Sequence, residues 1–182
     1  MVENRFFASY FTTVAASIRT ADVGDLERLS TMIRSTGDHG GKVILVGNGG
    51  SAAMASHVAV DLTKAAGIRA VNFNEADLLT CFANDYGYEN WVVEALRAYA
   101  DPKDLVILIS SSGQSANIVR GAEQARKMGL SLVCLSGFSD ANPLRNLGEV
   151  DLWVDSQMYN VVEMTHQTWL LSVVDYLIDT AD

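Results

Sequence analysis

Two hydrophobic periodicities alternate along this chain. Between positions 4 and 18 the apolar residues Phe6, Phe7, Tyr10, Phe11, Val14 and Ile18 recur at helical intervals, and Leu26, Leu29 and Ile33 repeat that spacing between 25 and 33. The pattern then changes: Val43-Ile44-Leu45-Val46 is an unbroken, β-branched apolar run bounded by glycines, as expected of a strand covered on both faces. Leu105–Ile109 and Leu132–Leu135 are runs of the same kind, Val150–Val154 is a fourth strand, and Ala70–Phe73 a brief one. Helical spacing returns between them, at about 52–65, from Leu78 to Phe82, at 91–99 before an Asp101-Pro102 stop, at 117–128, and in a closing segment at about 161–178. The polar piece Asn84–Glu89 is expected to be a flexible connection.

Strands alternating with helices predict an α/β fold, a three-layer sandwich with a mainly parallel sheet flanked by helices and preceded by two N-terminal helices. One domain is expected over 1–182, with a helical segment at 1–40 and the α/β core at 41–182, since 182 residues at 49% hydrophobic content suit one buried core. The aromatic stripe of the first helix is more than a small sheet's flank needs. It predicts either an internal core or packing against another subunit, and an oligomer is the expectation.

Net charge is −9 and no Lys/Arg cluster occurs, which argues against a direct nucleic-acid partner. Cys81 and Cys134 form no CxxC pair and lie in apolar surroundings, so they are expected in the core rather than in a disulfide or thiolate site. No apolar run approaches the ~20 residues of a membrane span and no basic-then-apolar leader opens the chain, so a soluble, cytoplasmic protein is expected.

Chemistry enters at the ends of two strands. After Val46 the chain reads Gly47-Asn48-Gly49-Gly50-Ser51 and turns directly into a helical pattern; glycines allow a sharp turn, and free amides at a helix N-terminus favour an anion, phosphate above all. After Ile109 the device recurs as Ser110-Ser111-Ser112-Gly113-Gln114-Ser115. Two such loops at the carboxyl ends of parallel strands can converge on one ligand, and uncharged hydroxyl donors suit a phosphorylated polyol better than a triphosphate. Neither loop is a P-loop or a GxGxxG turn, and either alone also reads as an ordinary βα turn. Two carboxylate–imidazole pairs follow: His57 and Asp61 at i,i+4, and Glu163 and His166 at i,i+3 on the closing helix. Each spacing suits a metal or acid/base pair, and equally a surface ion pair, a cap or an interface contact. His39, in a glycine-rich turn, reads as solvated.

Taken together, Gly47–Ser51 followed by His57, then Asn84-Asp85-Tyr86-Gly87, then Ser110 to Asn117, resemble the SIS (sugar isomerase) domain family, and within it the bacterial phosphoheptose isomerases. The resemblance spans nearly the whole chain. It implies a homotetramer with sites at subunit interfaces, phosphate held by Ser110, Ser111, Ser112 and Ser115, and the sugar met by Asn48, Gly49, Gly50 and Ser51 with Asp85 nearby. It further implies zinc at His57 and Asp61 together with residues of the last helix, here Glu163 and His166, which are ligand types compatible with that metal. The family's base on the first core helix is usually a glutamate; Asp61 is shorter by a methylene, which moves the carboxylate by roughly an ångström. Aligning Glu163 with the glutamine of the family's last helix places Leu171 at its histidine, with His166 about a turn earlier as the replacement. An arginine common after the first-helix carboxylate is replaced by Ala65, beside Lys64.

The resemblance therefore implies an aldose–ketose isomerase of sugar phosphates, converting sedoheptulose 7-phosphate to a heptose 7-phosphate for surface-polysaccharide synthesis, with Asp61 as base and His166 or Glu163 as its partner. The alternative from another class is a non-catalytic SIS protein that binds a phosphosugar or another protein, similar to a relative that assists a replication initiator. A phosphosugar-sensing lyase or regulator is the third.

Overall fold

A computed structural model describes residues 5–181. The element order is α1 (Phe6–Ile18), α2 (Val23–Asp38), β1 (Val43–Gly47), α3 (Gly50–Lys64), β2 (Ala70–Asn72), α4 (Ala76–Tyr86), a short 3₁₀ turn (Tyr88–Asn90), α5 (Trp91–Tyr99), β3 (Leu105–Ser110), α6 (Ala116–Lys127), β4 (Ser131–Gly137), β5 (Val150–Val154) and α7 (Tyr159–Asp179). All neighbouring strands pair in parallel, in the order β2-β1-β3-β4-β5. The α/β sandwich expected from the alternating patterns is the fold observed.

The unbroken apolar runs become the inner strands because both of their faces are covered. Every residue of β1 and β3 is buried. Leu45 and Ile107 point into a core shared with Leu29 and Ile33 of α2, Val58 and Leu62 of α3, and Trp169 and Val173 of α7. Ile44 and Val46, with Leu108 in register beside Val46, face the other core with Trp91 and Leu96 of α5 and Ile118 of α6. Each fully buried Leu, Ile or Val contributes roughly 1.5–3 kcal/mol, so the two cores clamp the central strands from both sides. The edge strand β5 instead alternates buried and half-buried positions.

The strand order reverses between β1 and β3, where Gly47 pairs in register with Ile109. Crossovers leave that pair in opposite directions, which opens a crevice at their carboxyl ends. Both glycine- and serine-rich loops sit there. At the other end of the same strands, Asp104 is buried and its carboxylate accepts from the Lys42 and Asp101 backbone amides and from Lys42 Nζ, tying the starts of β1 and β3 together.

Two expectations need correction. Asn84, Asp85 and Tyr86 are the last residues of α4 rather than a loose connection, and the chain turns only at Gly87, at φ +85°. Cys81, on the exposed side of α4, is not a core residue, whereas Cys134 is buried. Of the two readings of the α1 aromatic stripe, the internal core does not hold within the protomer: no residue of α1 is buried, and Phe7 and Phe11 are 60% and 65% exposed. No helix among the described residues is long and apolar enough to cross a membrane.

Candidate functional site

Gly49 enters α3 with φ +54°, a left-handed conformation that suits a residue without a side chain. Gly50 follows for a different reason: a Cβ there would run into the Glu163 carboxylate. Asn48, between β1 and α3, is fixed by three bonds. It exchanges amide hydrogen bonds with Asn117 at 3.0 and 2.9 Å, and its Oδ1 also accepts from the Tyr88 hydroxyl at 3.0 Å. On the second loop, Ser110 Oγ donates to Ser115 Oγ at 3.1 Å, and the Gln114 amide donates to Ser112 Oγ at 3.2 Å. Ser111 Oγ lies 3.4 Å from Glu163 Oε1, to which it donates.

These two loops and the first turns of α7 enclose a cavity of about 110 Å³, lined by Asn48, Ser51, Ile109, Ser110, Ser111, Ser112, Ser115, Tyr159 and Glu163. That is the space of a few water molecules, enough for a phosphoryl group and not for a whole sugar phosphate. Helices α3, α6 and α7 all begin beside it. None of their N-cap residues, Gly49, Ser115 and Met158, caps its own helix with a side chain. Three positive dipole ends and several hydroxyls therefore meet in one place. Among the described residues Glu163 is the only charged one in the lining, and it stands at the α3 side, against Gly50. Ser110, Ser112 and Ser115 line the same cavity beside the α6 N-terminus. Larger hollows of about 470 Å³, beside Arg34 and Arg69, and about 400 Å³, beside Lys103 and Asp104, open at the opposite end of the strands, away from both loops. The crevice, although smaller, is where the polar groups converge.

His57 and Asp61 do meet: His57 Nε2 lies 3.2 Å from Asp61 Oδ2 on the half-exposed outer face of α3. Their partner on α7 is Gln167, whose Nε2 is 3.0 Å from His57 Nδ1. The sequence expectations place Glu163 at this position of the last helix, whereas the residue that meets His57 is Gln167, one turn further along the same side, whose neutral amide carries no titratable signal. Tyr88, Tyr159 and Asn117 are likewise absent from the expected site residues, and only the fold brings them to the two loops.

The expected grouping of His57, Asp61, Glu163 and His166 is not assembled. His166 is fully buried, and its Nε2 donates to the Ser136 carbonyl at 3.0 Å, while Nδ1 has no partner among the described residues. Burial pushes its pKa down to about 4 against a weaker upward pull from that hydrogen bond, so the ring is neutral and locked in the sheet-facing side of α7. It reaches neither the cavity nor Asp61. Glu163 is in the cavity, not with His57. Among the described residues no three His, Cys, Asp or Glu side chains are placed to hold a metal. The four-residue zinc set therefore does not fit; among the described residues one imidazole, one carboxylate and the Gln167 amide gather instead between α3 and α7. Asp85 is also apart from the cavity. It is exposed near the end of α4, accepting from Asn84 Nδ2 at 2.9 Å, with Cys81 Sγ at 3.8 Å.

A SIS domain profile matches residues 6–137. The chain is 32% identical over 155 residues to a probable phosphoheptose isomerase of Thermoplasma volcanium, covering 81% of this chain and 78% of that protein. It is 33% identical over 149 residues to the phosphoheptose isomerase of Akkermansia muciniphila, covering 79% and 78%. In fold it is similar to the structure of a phosphoheptose isomerase from Francisella tularensis, with a TM-score of 0.89 at 23% identity over 100% of both chains.

Proposed function

Because this chain belongs to the SIS domain family, we propose that it is a phosphosugar isomerase acting on sedoheptulose 7-phosphate or a close relative. The observation that carries this reading is the cavity at the crevice between β1 and β3, where three helix N-termini and the hydroxyls of Ser110, Ser111, Ser112 and Ser115 converge on space for one phosphoryl group. Asn48 and Ser51, on the adjoining wall, meet the sugar hydroxyls.

Aldose–ketose isomerisation removes a proton from the carbon beside a carbonyl, returns it to the neighbouring carbon, and moves a proton between the two oxygens through an enediol. Asp61 serves as the carbon base. Its orientation is set by His57, which donates from Nε2 while Gln167 donates to Nδ1 and so fixes the tautomer. Glu163, in the cavity wall, carries the oxygen-bound proton. Asp61 lies ten residues beyond Ser51, about 15 Å further along α3. That separation favours sites completed by neighbouring copies, in a homotetramer to which the exposed aromatic face of α1 contributes. Synthesis of nucleotide-activated heptose in the cytoplasm is the setting this activity fits.

The burial of His166 favours one competing reading, a phosphosugar-binding SIS protein without turnover, because it removes a proton-transfer partner. Turnover of sedoheptulose 7-phosphate by the purified protein separates the two, measured beside Asp61→Asn and Glu163→Gln. The isomerase reading expects turnover that each substitution lowers by about two orders of magnitude or more. Absence of turnover in the unsubstituted protein, with the sugar phosphate still bound, selects the binding protein.

A further inference from the structure

The segment between β4 and β5, residues 138–149, contains no helix or strand, yet it is fastened at several points and touches the serine loop at one. Leu144 anchors it in the core. The Arg145 guanidinium stacks on Trp153 at 4.5 Å, and the Glu149 amide donates to the Leu132 carbonyl at 2.7 Å. At its centre Asn142 is only 4% exposed, with every polar atom engaged. Its Nδ2 donates to Ser139 O at 2.7 Å, Ser136 Oγ at 3.1 Å and Gly137 O at 3.2 Å, and its Oδ1 accepts from the Arg145 amide at 3.0 Å. Rotation of that amide would strand buried donors, so its position is fixed.

What Asn142 presses against is Gly113, the turning residue of the serine loop. Gly113 has φ +65°, and a Cβ there would overlap the Asn142 side chain. The Gly113 amide donates to Ser110 O at 2.9 Å, closing the turn, and its carbonyl accepts from Leu144 N at 3.1 Å. Asn142 does not line the cavity. We propose that Asn142 is a positioning residue: seated on Gly113, it holds the serine loop in the shape that receives the phosphoryl group without touching the substrate itself. The inference rests on the reading that this loop holds the phosphate. Its physical basis is that donors displaced by even an ångström lose much of their value at a positioned site.

The test compares Asn142→Ala with Arg145→Ala in the full chain. Both loosen the same segment, but only the first removes the contact with Gly113. For Asn142→Ala we expect KM for sedoheptulose 7-phosphate to rise about tenfold with kcat changed by less than about twofold, and the rise in Tm that inorganic phosphate gives to be lost. Arg145→Ala should lower Tm and leave KM and the phosphate response unchanged. Should Asn142→Ala prove insoluble, Asn142→Ser is measured the same way, and its smaller hydroxyl donor should give an intermediate KM. The proposal is overturned if Asn142→Ala leaves KM and the phosphate response intact, or if Arg145→Ala raises KM equally. Ser110→Ala keeps the two readings apart. If it raises KM while the Asn142 variants do not, only the positioning role fails; if it too is silent, or if the unsubstituted protein shows no phosphate response, the phosphate reading fails first and this one with it.

Discussion

His166 shows how one side chain's surroundings decide its role. In the sequence it stands three residues from Glu163 and reads as half of an acid/base pair; in the fold it faces the sheet, donates to the Ser136 carbonyl and is sealed from water. Its pKa is held near 4 in the folded protein, below the ordinary 6.5, so between those values the unfolded chain binds a proton that the native state refuses. Its contribution is thus intact above about pH 6.5 and is lost as pH falls toward 4, by about 3 kcal/mol in total. His166→Gln keeps an amide donor for Ser136 but cannot titrate. We expect urea midpoints of the native protein to drop more steeply than those of His166→Gln between pH 6.5 and 4, and equal slopes would refute this account. Residue type and spacing were legible in the sequence here. Whether α7 turned position 166 inward or outward was not, because Val161, Val162, Trp169 and Leu170 make the helix apolar nearly all round and blur its phase.

At the scale of elements, the strands were legible almost residue by residue, since continuous β-branched runs have few alternatives: β5 is Val150–Val154 as expected, and β3 gains only Ser110. Helix ends were less so. α2 begins earlier than its apolar repeat, at Val23, because Asp22 caps it by accepting from the Gly24 amide at 2.8 Å. The attachment of α1 was invisible, since it depends on a long-range bond: Trp169 Nε1 of α7 donates to the Ile18 carbonyl at 2.8 Å, where α1 ends. With no buried residue of its own, α1 relies on such ties. Trp169→Phe should lower stability by about 1–3 kcal/mol through the lost donor and lost volume. Hydrogen exchange should quicken in residues 6–18 more than in β1 or β3, whereas uniform quickening would show that Trp169 serves only the general core.

For the whole molecule, the sequence implied the chemistry of the crevice because glycine and serine loops mark strand ends. It could not show that the titratable residues divide between two places, Glu163 in the cavity and Asp61 on the outer face of α3 with His57 and Gln167. In the proposed isomerase, that division and the exposed aromatic face of α1 are both answered by neighbouring copies. Light scattering should give a mass near four times 19.7 kDa, and Phe7→Glu with Phe11→Glu should lower it; an unchanged mass would place the contact elsewhere. The proposed phosphate cavity would recognise a dianion with peptide dipoles and hydroxyls, and among the described residues no Lys or Arg lines it, in a protein whose own charge is −9. Dipoles fixed in the backbone have no counterions to shed. Raising salt to about 0.5 M should therefore leave the affinity for a phosphosugar unchanged or slightly improved, by screening the chain's repulsion. An arginine clamp would respond in the opposite direction. With that cavity as its phosphate site, the protein would capture its ligand by fit after arrival, not by attraction at a distance.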